Sequence, residues 1–375
     1  MKYRTSSIAL TVIAAIGSFA TLSAVSAPLT METGIATFSN SASVVDGKGN
    51  GATPNNNASL GSSLLQQFDA SKGVLVGATV NLSEGTQTQT TQVTATDGNN
   101  NNGSDDTRTS SGTGSSRVAI SAAGVNKTLA TLTQADTCAD TRQGACSDEA
   151  STASFKTNLS EVVSNGSLSS YVGSASLTVT REAATLTAEQ QSNKFKGIET
   201  TTSTVTWSGE LSATYQYLLH AAPTFGNKAL TLDLDFGTVA QGASLSPLSF
   251  SILNTTGDRV GLDLDSFAPA GNLAQLYADL TGFSALAAGS SNSFLASFNT
   301  ATVGNFSSTY TLNLSDADVG AANSRSAYTM TLNLKGNVAA GSQRLANDVP
   351  EPGMLALAGV GLLGLVLTRR RARRT

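Results

Sequence analysis

Three groups of residues have types and spacings that invite chemistry. The first is a lone imidazole: His220 is the only histidine among 375 residues. One histidine excludes multi-histidine metal sites, and His220 would have to be the sole base of any Ser-His-acid arrangement. It follows the strand-like run LSATYQYLL, where its expected role is to cap a strand end at a domain junction. The second group is Cys138 and Cys146, the only cysteines, in CADTRQGAC. A metal site needs more ligands than two thiolates, so an isolated pair in an exported chain reads as a small-loop disulfide. Closing that ring stabilises by about 2–3 kcal/mol on chain-entropy grounds. The third is the polar run TDGNNNNGSDDTRTSSGTGSS. Alternating Asp and Asn oxygens suit Ca²⁺, but an EF-hand loop counted from Asp97 wants glycine where Asn102 stands, and its bidentate glutamate is missing. The run reads as a polar hairpin tip, and Asp316 and Asp318 are read the same way.

The remaining catalytic signatures are not there. The sequence holds no G-x-S-x-G, P-loop, H-E-x-x-H or nucleotide fingerprint. Paired glycosidase carboxylates need not be adjacent in sequence. Aromatics are only 6%, however, and Trp207 is the single tryptophan, which leaves few platforms for stacking a sugar. The expectation is a protein with no catalytic residue, no metal site and no cofactor.

Positioning elements are read from composition first. Charged residues are 13%, against roughly 25% in ordinary soluble proteins. Gly, Ser, Thr, Asn and Ala dominate, and the threonine content favours strands. The formal charge of −4 includes both chain ends. Setting aside Lys2, Arg4, Arg369, Arg370, Arg371, Arg373 and Arg374 with Glu351 leaves 15 basic and 25 acidic residues, a balance of −10. An acidic body without a basic stripe argues against nucleic-acid binding.

The chain begins with a secretory signal layout over residues 1–27. A basic start precedes an apolar stretch from Ile8 to Leu22 and small residues follow, with the cut after Ala24 or Ala27. It ends in VPEPGMLALAGVGLLGLVLTRRRARRT. Residues 353–368 carry no charge and form a short candidate span, which the arginines extend by snorkelling to the headgroups. The positive-inside rule puts Arg369, Arg370, Arg371, Arg373 and Arg374 in the cytoplasm as a stop and the body outside. Pro350 and Pro352 cannot both sit inside a helix, so Pro350-Glu351-Pro352 is held extended at the membrane surface.

This order of a Pro-Glu-Pro motif, an apolar helix and a terminal arginine cluster resembles the PEP-CTERM sorting signal. The resemblance implies a Gram-negative bacterium with an exosortase that processes the tail near Pro350, Glu351 and Pro352. The inner membrane would be a transient partner. The final location would be the cell surface or an exopolysaccharide-bearing matrix.

Between the ends, residues 229–338 alternate with period two. Leu230, Leu232, Leu234 and Phe236 share a face, as do Leu248, Phe250 and Ile252, then Val260, Leu262 and Leu264, and later Tyr328, Met330, Leu332 and Leu334. Six or seven such runs separated by Gly/Asn/Ser turns predict an antiparallel β-sandwich. The wording LDFGTVAQGASLSPLSFSILNTTGD resembles choice-of-anchor and hydin-type immunoglobulin-like domains, which implies a spacer or adhesion module and makes Phe236–Val239 a strand exit. Residues 28–225 are less regular. Strand-like runs occur at Val74–Leu82, Gln87–Thr96, Arg117–Ser121, Ala175–Val179, Val205–Trp207 and Leu211–Tyr217, and a short helix is predicted through Leu186–Phe195.

The expected architecture is mainly β, with two β-sandwich-like domains: a β-rich domain over 28–225 and an immunoglobulin-like domain over 226–340. A linker over 341–348 leads to the sorting signal over 349–375. The expected function is an exported, non-enzymatic surface or matrix protein linked to exopolysaccharide or biofilm. The alternatives are a carbohydrate- or calcium-binding adhesin and, behind it, a cryptic hydrolase.

Overall fold

The computed structural model describes residues 27–47, 54–96, 108–140, 145–193 and 197–340. The signal stretch before residue 27, most of the Asp/Asn-rich run, the linker and the whole sorting tail lie outside the described residues. Among the described residues, no helix is long and apolar enough to cross a membrane.

The chain is mainly β, and its first eleven strands form two facing sheets. They are β1 (Leu29–Glu32), β2 (Ala36–Gly47), β3 (Ala58–Gln66), β4 (Val74–Thr96), β5 (Arg108–Ala122), β6 (Val125–Thr128), β7 (Leu132–Asp140), β8 (Ala145–Ser147), β9 (Ser151–Val162), β10 (Ser176–Asn193) and β11 (Glu199–Leu218). In one sheet β11 lies between β4 and the successive β1 and β2, while β8 and β9 flank β4. In the other, β10 lies between β3 and β5, and β5 carries β6 and β7. Period-two burial explains the pairing: Val205, Trp207, Leu211, Ala213 and Tyr215 of β11 all point inward and are fully buried.

That inner layer changes character along its length. Leu75, Ala78, Val80 and Leu82 of β4 belong to an apolar core with Phe68, Ile120, Val179 and Trp207. Further along, Gln87, Gln89 and Thr91 of β4 and Thr201 and Ser203 of β11 are buried instead. Gln87 Nε2 donates to Ser116 O (3.1 Å) and Thr201 Oγ1 to Gln190 Oε1 (2.6 Å) across the layer, while Gln89 Nε2 donates to Ser203 Oγ (2.9 Å) on the neighbouring strand of its own sheet. These bonds offset part of the cost of burying polar groups, while Gln87 Oε1 and Gln89 Oε1 have no hydrogen-bond partner among the described residues.

The last nine strands build a second sandwich: β12 (Pro223–Phe225), β13 (Thr231–Ala240), β14 (Leu248–Asn254), β15 (Leu262–Gly271), β16 (Leu276–Ala278), β17 (Phe283–Leu286), β18 (Ser291–Phe298), β19 (Gly304–Asp316) and β20 (Ala327–Ala339). One sheet runs β12-β14-β18-β16 and the other β13-β20-β19-β15-β17. The strands of this sandwich pair antiparallel except β13 with β20, which is parallel. The predicted alternating faces supply this core: Phe250, Ile252, Phe294 and Phe298 meet Leu262, Leu312, Leu314, Met330, Leu332 and Leu334. The pairing of β12 with β14 shows that this sandwich draws on residues before 226.

Two local expectations are corrected. The predicted helix through Leu186–Phe195 is instead the second half of β10 as far as Asn193, with Leu186 and Ala188 buried on the inner face. The helix-favouring Ala, Glu and Gln there are overridden by pairing with β5. Phe236–Val239 is a mid-strand bulge, not a strand exit. The register of β13 against β20 shifts between Asp235 and Thr238, and Gly237 adopts φ 70° while its N–H donates to Asp235 Oδ1 (2.8 Å).

Candidate functional site

A buried polar cluster with titratable members lies where the two sandwiches meet. His220 comes just after β11, Asp316 ends β19, and Tyr328 begins β20. The carboxylate of Asp316 is 1% exposed, receives three donors and faces the His220 ring. Ala221 N–H and Tyr328 O–H reach Oδ1, each at 2.8 Å. Ser326 N–H reaches Oδ2 at 2.8 Å, and His220 Nδ1 stands 2.7 Å from the same oxygen. A buried carboxylate is costly unless its lone pairs are occupied, and these are. Burial, followed by the hydrogen bond to Asp316, raises the Tyr328 hydroxyl above its ordinary pKa.

The other edge of the imidazole faces the first sandwich. His220 Nε2 is 2.8 Å from the carbonyl oxygen of Ala70, in the short 3-10 turn Ala70–Lys72 between β3 and β4. Arg259 Nη1 donates to the His220 carbonyl at 2.8 Å. Three further ties cross the junction without a titratable group. Leu75 N–H donates to Ser324 Oγ (3.0 Å), Ala321 N–H to Leu75 O (2.8 Å), and Asn323 Nδ2 to Ser169 O (2.9 Å).

Ser326 Oγ lies 3.5 Å from His220 Nε2, so a hydroxyl, an imidazole and a carboxylate stand in the order used for nucleophilic catalysis. The geometry serves a different end. A general base must offer Nε2 as a lone pair, whereas here Nε2 is aimed at the Ala70 carbonyl, which can only accept. The arrangement joins two domains through one ring. His220 is therefore at a strand end by the junction, where the sequence put it. Its partner Asp316, 96 residues away, was expected at a polar hairpin tip and is instead buried at the end of β19. Asp318 is exposed and paired with Arg325 Nη1 (2.7 Å). Among the described residues, no three His, Cys, Asp or Glu side chains converge as a metal site would require.

The two cysteines sit at the opposite end of the first sandwich and are disulfide-bonded. Cys138 lies on β7 opposite Ser110 of β5, and Cys146 on β8 opposite Ala95 of β4. The bridge thus ties one sheet to the other, beside a small buried cluster with Val93 and Ala95. Native protein is expected to show no free thiol before reduction. Cys138→Ser is expected to cost about 2–3 kcal/mol without abolishing folding. Thiol titration and urea denaturation check both statements; two reactive thiols in native exported material would contradict the first.

Pro350, Glu351, Pro352 and the arginines from 369 to 374 lie outside the described residues, so for them the comparisons with known proteins speak instead. Among curated proteins no match is found. Solved structures with a similar arrangement include the ASH/PapD-like domain 7 of human CEP192, at 8% identity and a TM-score of 0.24, covering 32% of this chain and 86% of that one. The periplasmic chaperone SfaE aligns at 9% identity and a TM-score of 0.22, covering 31% of this chain and 57% of that one. Residues 348–371 match the PEP-CTERM protein-sorting motif, so the chain carries a C-terminal sorting signal of that type.

Proposed function

We propose that this chain is an exported, non-enzymatic structural protein of the cell surface or extracellular matrix. In this reading an exosortase processes it near Pro350-Glu351-Pro352, and it acts in association with exopolysaccharide. The match of residues 348–371 to the sorting motif carries the reading. The fold is in keeping with it: two sandwiches, the second of the immunoglobulin-like kind, are joined by several short hydrogen bonds, an arrangement suited to a stiff spacer. The apolar segment 353–368 would hold the precursor in the inner membrane until cleavage, with the arginines as a cytoplasmic stop worth several kcal/mol against translocation.

Intact-mass analysis of the surface form tests this. In a strain that has an exosortase, the mature protein is expected to lack the arginine cluster and to be shorter by about the length of the tail. Changing Pro350, Glu351 and Pro352 to alanine lets the helix grow outward and removes the extended substrate, so unprocessed precursor accumulates in the inner membrane. Mature surface protein that retains Arg369–Arg374 would make the tail a plain membrane anchor and overturn the processing claim.

A further inference from the structure

We propose that His220 is a pH-operated clasp between the two sandwiches, closed when its imidazole carries both protons. The Ala70 carbonyl opposite Nε2 accepts and cannot donate. Asp316, opposite Nδ1, already receives Ala221 N–H, Tyr328 O–H and Ser326 N–H. A carboxyl group surrounded by donors is the ionised one and has no proton to offer the ring. The Ser326 hydroxyl, 3.5 Å from Nε2, is too far off to offset a lone pair set 2.8 Å from the Ala70 oxygen. Both ring nitrogens therefore donate, and only the imidazolium does that. A neutral ring leaves a lone pair facing either the Ala70 oxygen or the Asp316 carboxylate. Either choice sets two acceptors against each other at hydrogen-bond distance.

The surrounding charges work in both directions. Asp316 on β19 favours the cation directly, and Asp69, on the turn beside Ala70, favours it from farther off. Arg259, bonded to the backbone oxygen of His220 itself, and Lys72, two residues beyond Ala70, oppose it. The backbone carbonyl of Asp258 accepts Leu219 N–H, while Tyr328 spends its hydroxyl proton on Asp316 and stays neutral. Arg325 and Asp318 compensate each other. Only Asp316 among these touches the ring.

The direction of the effect follows. The clasp needs both ring protons, so it is closed at low pH and released when the ring loses one. The ties from Leu75, Ala321 and Asn323 carry no titratable group, so once the clasp lets go they hold the junction alone and open more often.

Because the chain has one histidine, histidine-selective ¹⁵N labelling of the full-length protein gives a single imidazole to observe. At roughly pH 5.5 both nitrogens are expected to be protonated, with the amides of Leu75, Ala221 and Ala321 protected from hydrogen exchange. As the ring deprotonates, protection at those amides is expected to fall by about tenfold or more after correction for intrinsic exchange, while core amides such as Val205 hold. In His220→Gln the corrected protection should be flat with pH. A neutral tautomer at roughly pH 5.5, or deprotonation that leaves junction protection unchanged in the wild-type protein, would overturn the proposal.

Discussion

Asp316→Ala is expected to destabilise the protein by about 3–5 kcal/mol, through loss of a buried, fully bonded charge. The carboxylate is the common acceptor for Ala221 N–H, Ser326 N–H, Tyr328 O–H and the His220 ring. Removing it orphans two backbone donors and a hydroxyl, each costing about 1–3 kcal/mol when left unbonded in a buried site. Relaxation and water entry recover part of that sum. Asp316→Asn should cost nearly as much, because its amide turns two N–H donors toward groups that are themselves donors. Urea denaturation followed by circular dichroism measures both. A loss below about 1 kcal/mol for the alanine variant would show that water replaces the carboxylate and that the cluster is not buried as described.

Trp207→Ala should be of similar size, about 3–5 kcal/mol, for a different reason. Trp207 is fully buried in the first sandwich and meets Phe38 edge-on, with ring centroids 5.4 Å apart. Phe38 in turn carries the Arg181 guanidinium 4.1 Å from its ring centre. The indole Nε1 has no hydrogen-bond partner, so the substitution breaks no hydrogen bond and its cost is packing alone. The loss leaves a cavity in the apolar layer between the sheets and unsupports the Phe38–Arg181 stack. Trp207→Phe should recover more than half of the loss by refilling most of the space. The check is a lowered urea midpoint at an unchanged slope. A midpoint that does not move would place the indole at the surface.

The second sandwich was legible because its inner faces are built from Leu, Phe, Ile, Met and Tyr set against Ser, Asp, Asn and Thr. The contrast at period two is strong along Leu248–Ile252 and Tyr328–Leu334. In the first sandwich that contrast fades. β4 reads as two runs, Val74–Leu82 and Gln87–Thr96, yet is one strand of 23 residues with irregular pairing around Leu82 and Gly85. Its middle buries Gln87, Gln89 and Thr91, whose side chains look like solvent-facing residues in a sequence. β2, β3, β7 and β9 went unmarked for the same reason, being Ser-, Thr- and Ala-rich on both faces.

Pairings over long distances were also beyond reach. Nothing in the two segments announces that β13 runs parallel to β20, or that His220 meets Asp316. The cysteine pair was the exception, because a count of two leaves one partner each. The sorting tail was legible too, since its order of elements is read along the chain and needs no fold.

The parallel pairing of β13 with β20 has a mechanical consequence. β20 is the last of the described strands, and it lies between β13 and β19, in register with β19 from Ala327 to Val338 and with β13 from Thr331 to Ala339. Tension arriving through the chain beyond Ala339 pulls β20 along its own axis, sliding it against both neighbours at once. The ladders on either side are then loaded in shear, so many hydrogen bonds share the force and must fail together. At the edge of the sheet the same strand would peel away one bond at a time. The strand that leads to the tail is thus the one the sheet grips from both sides.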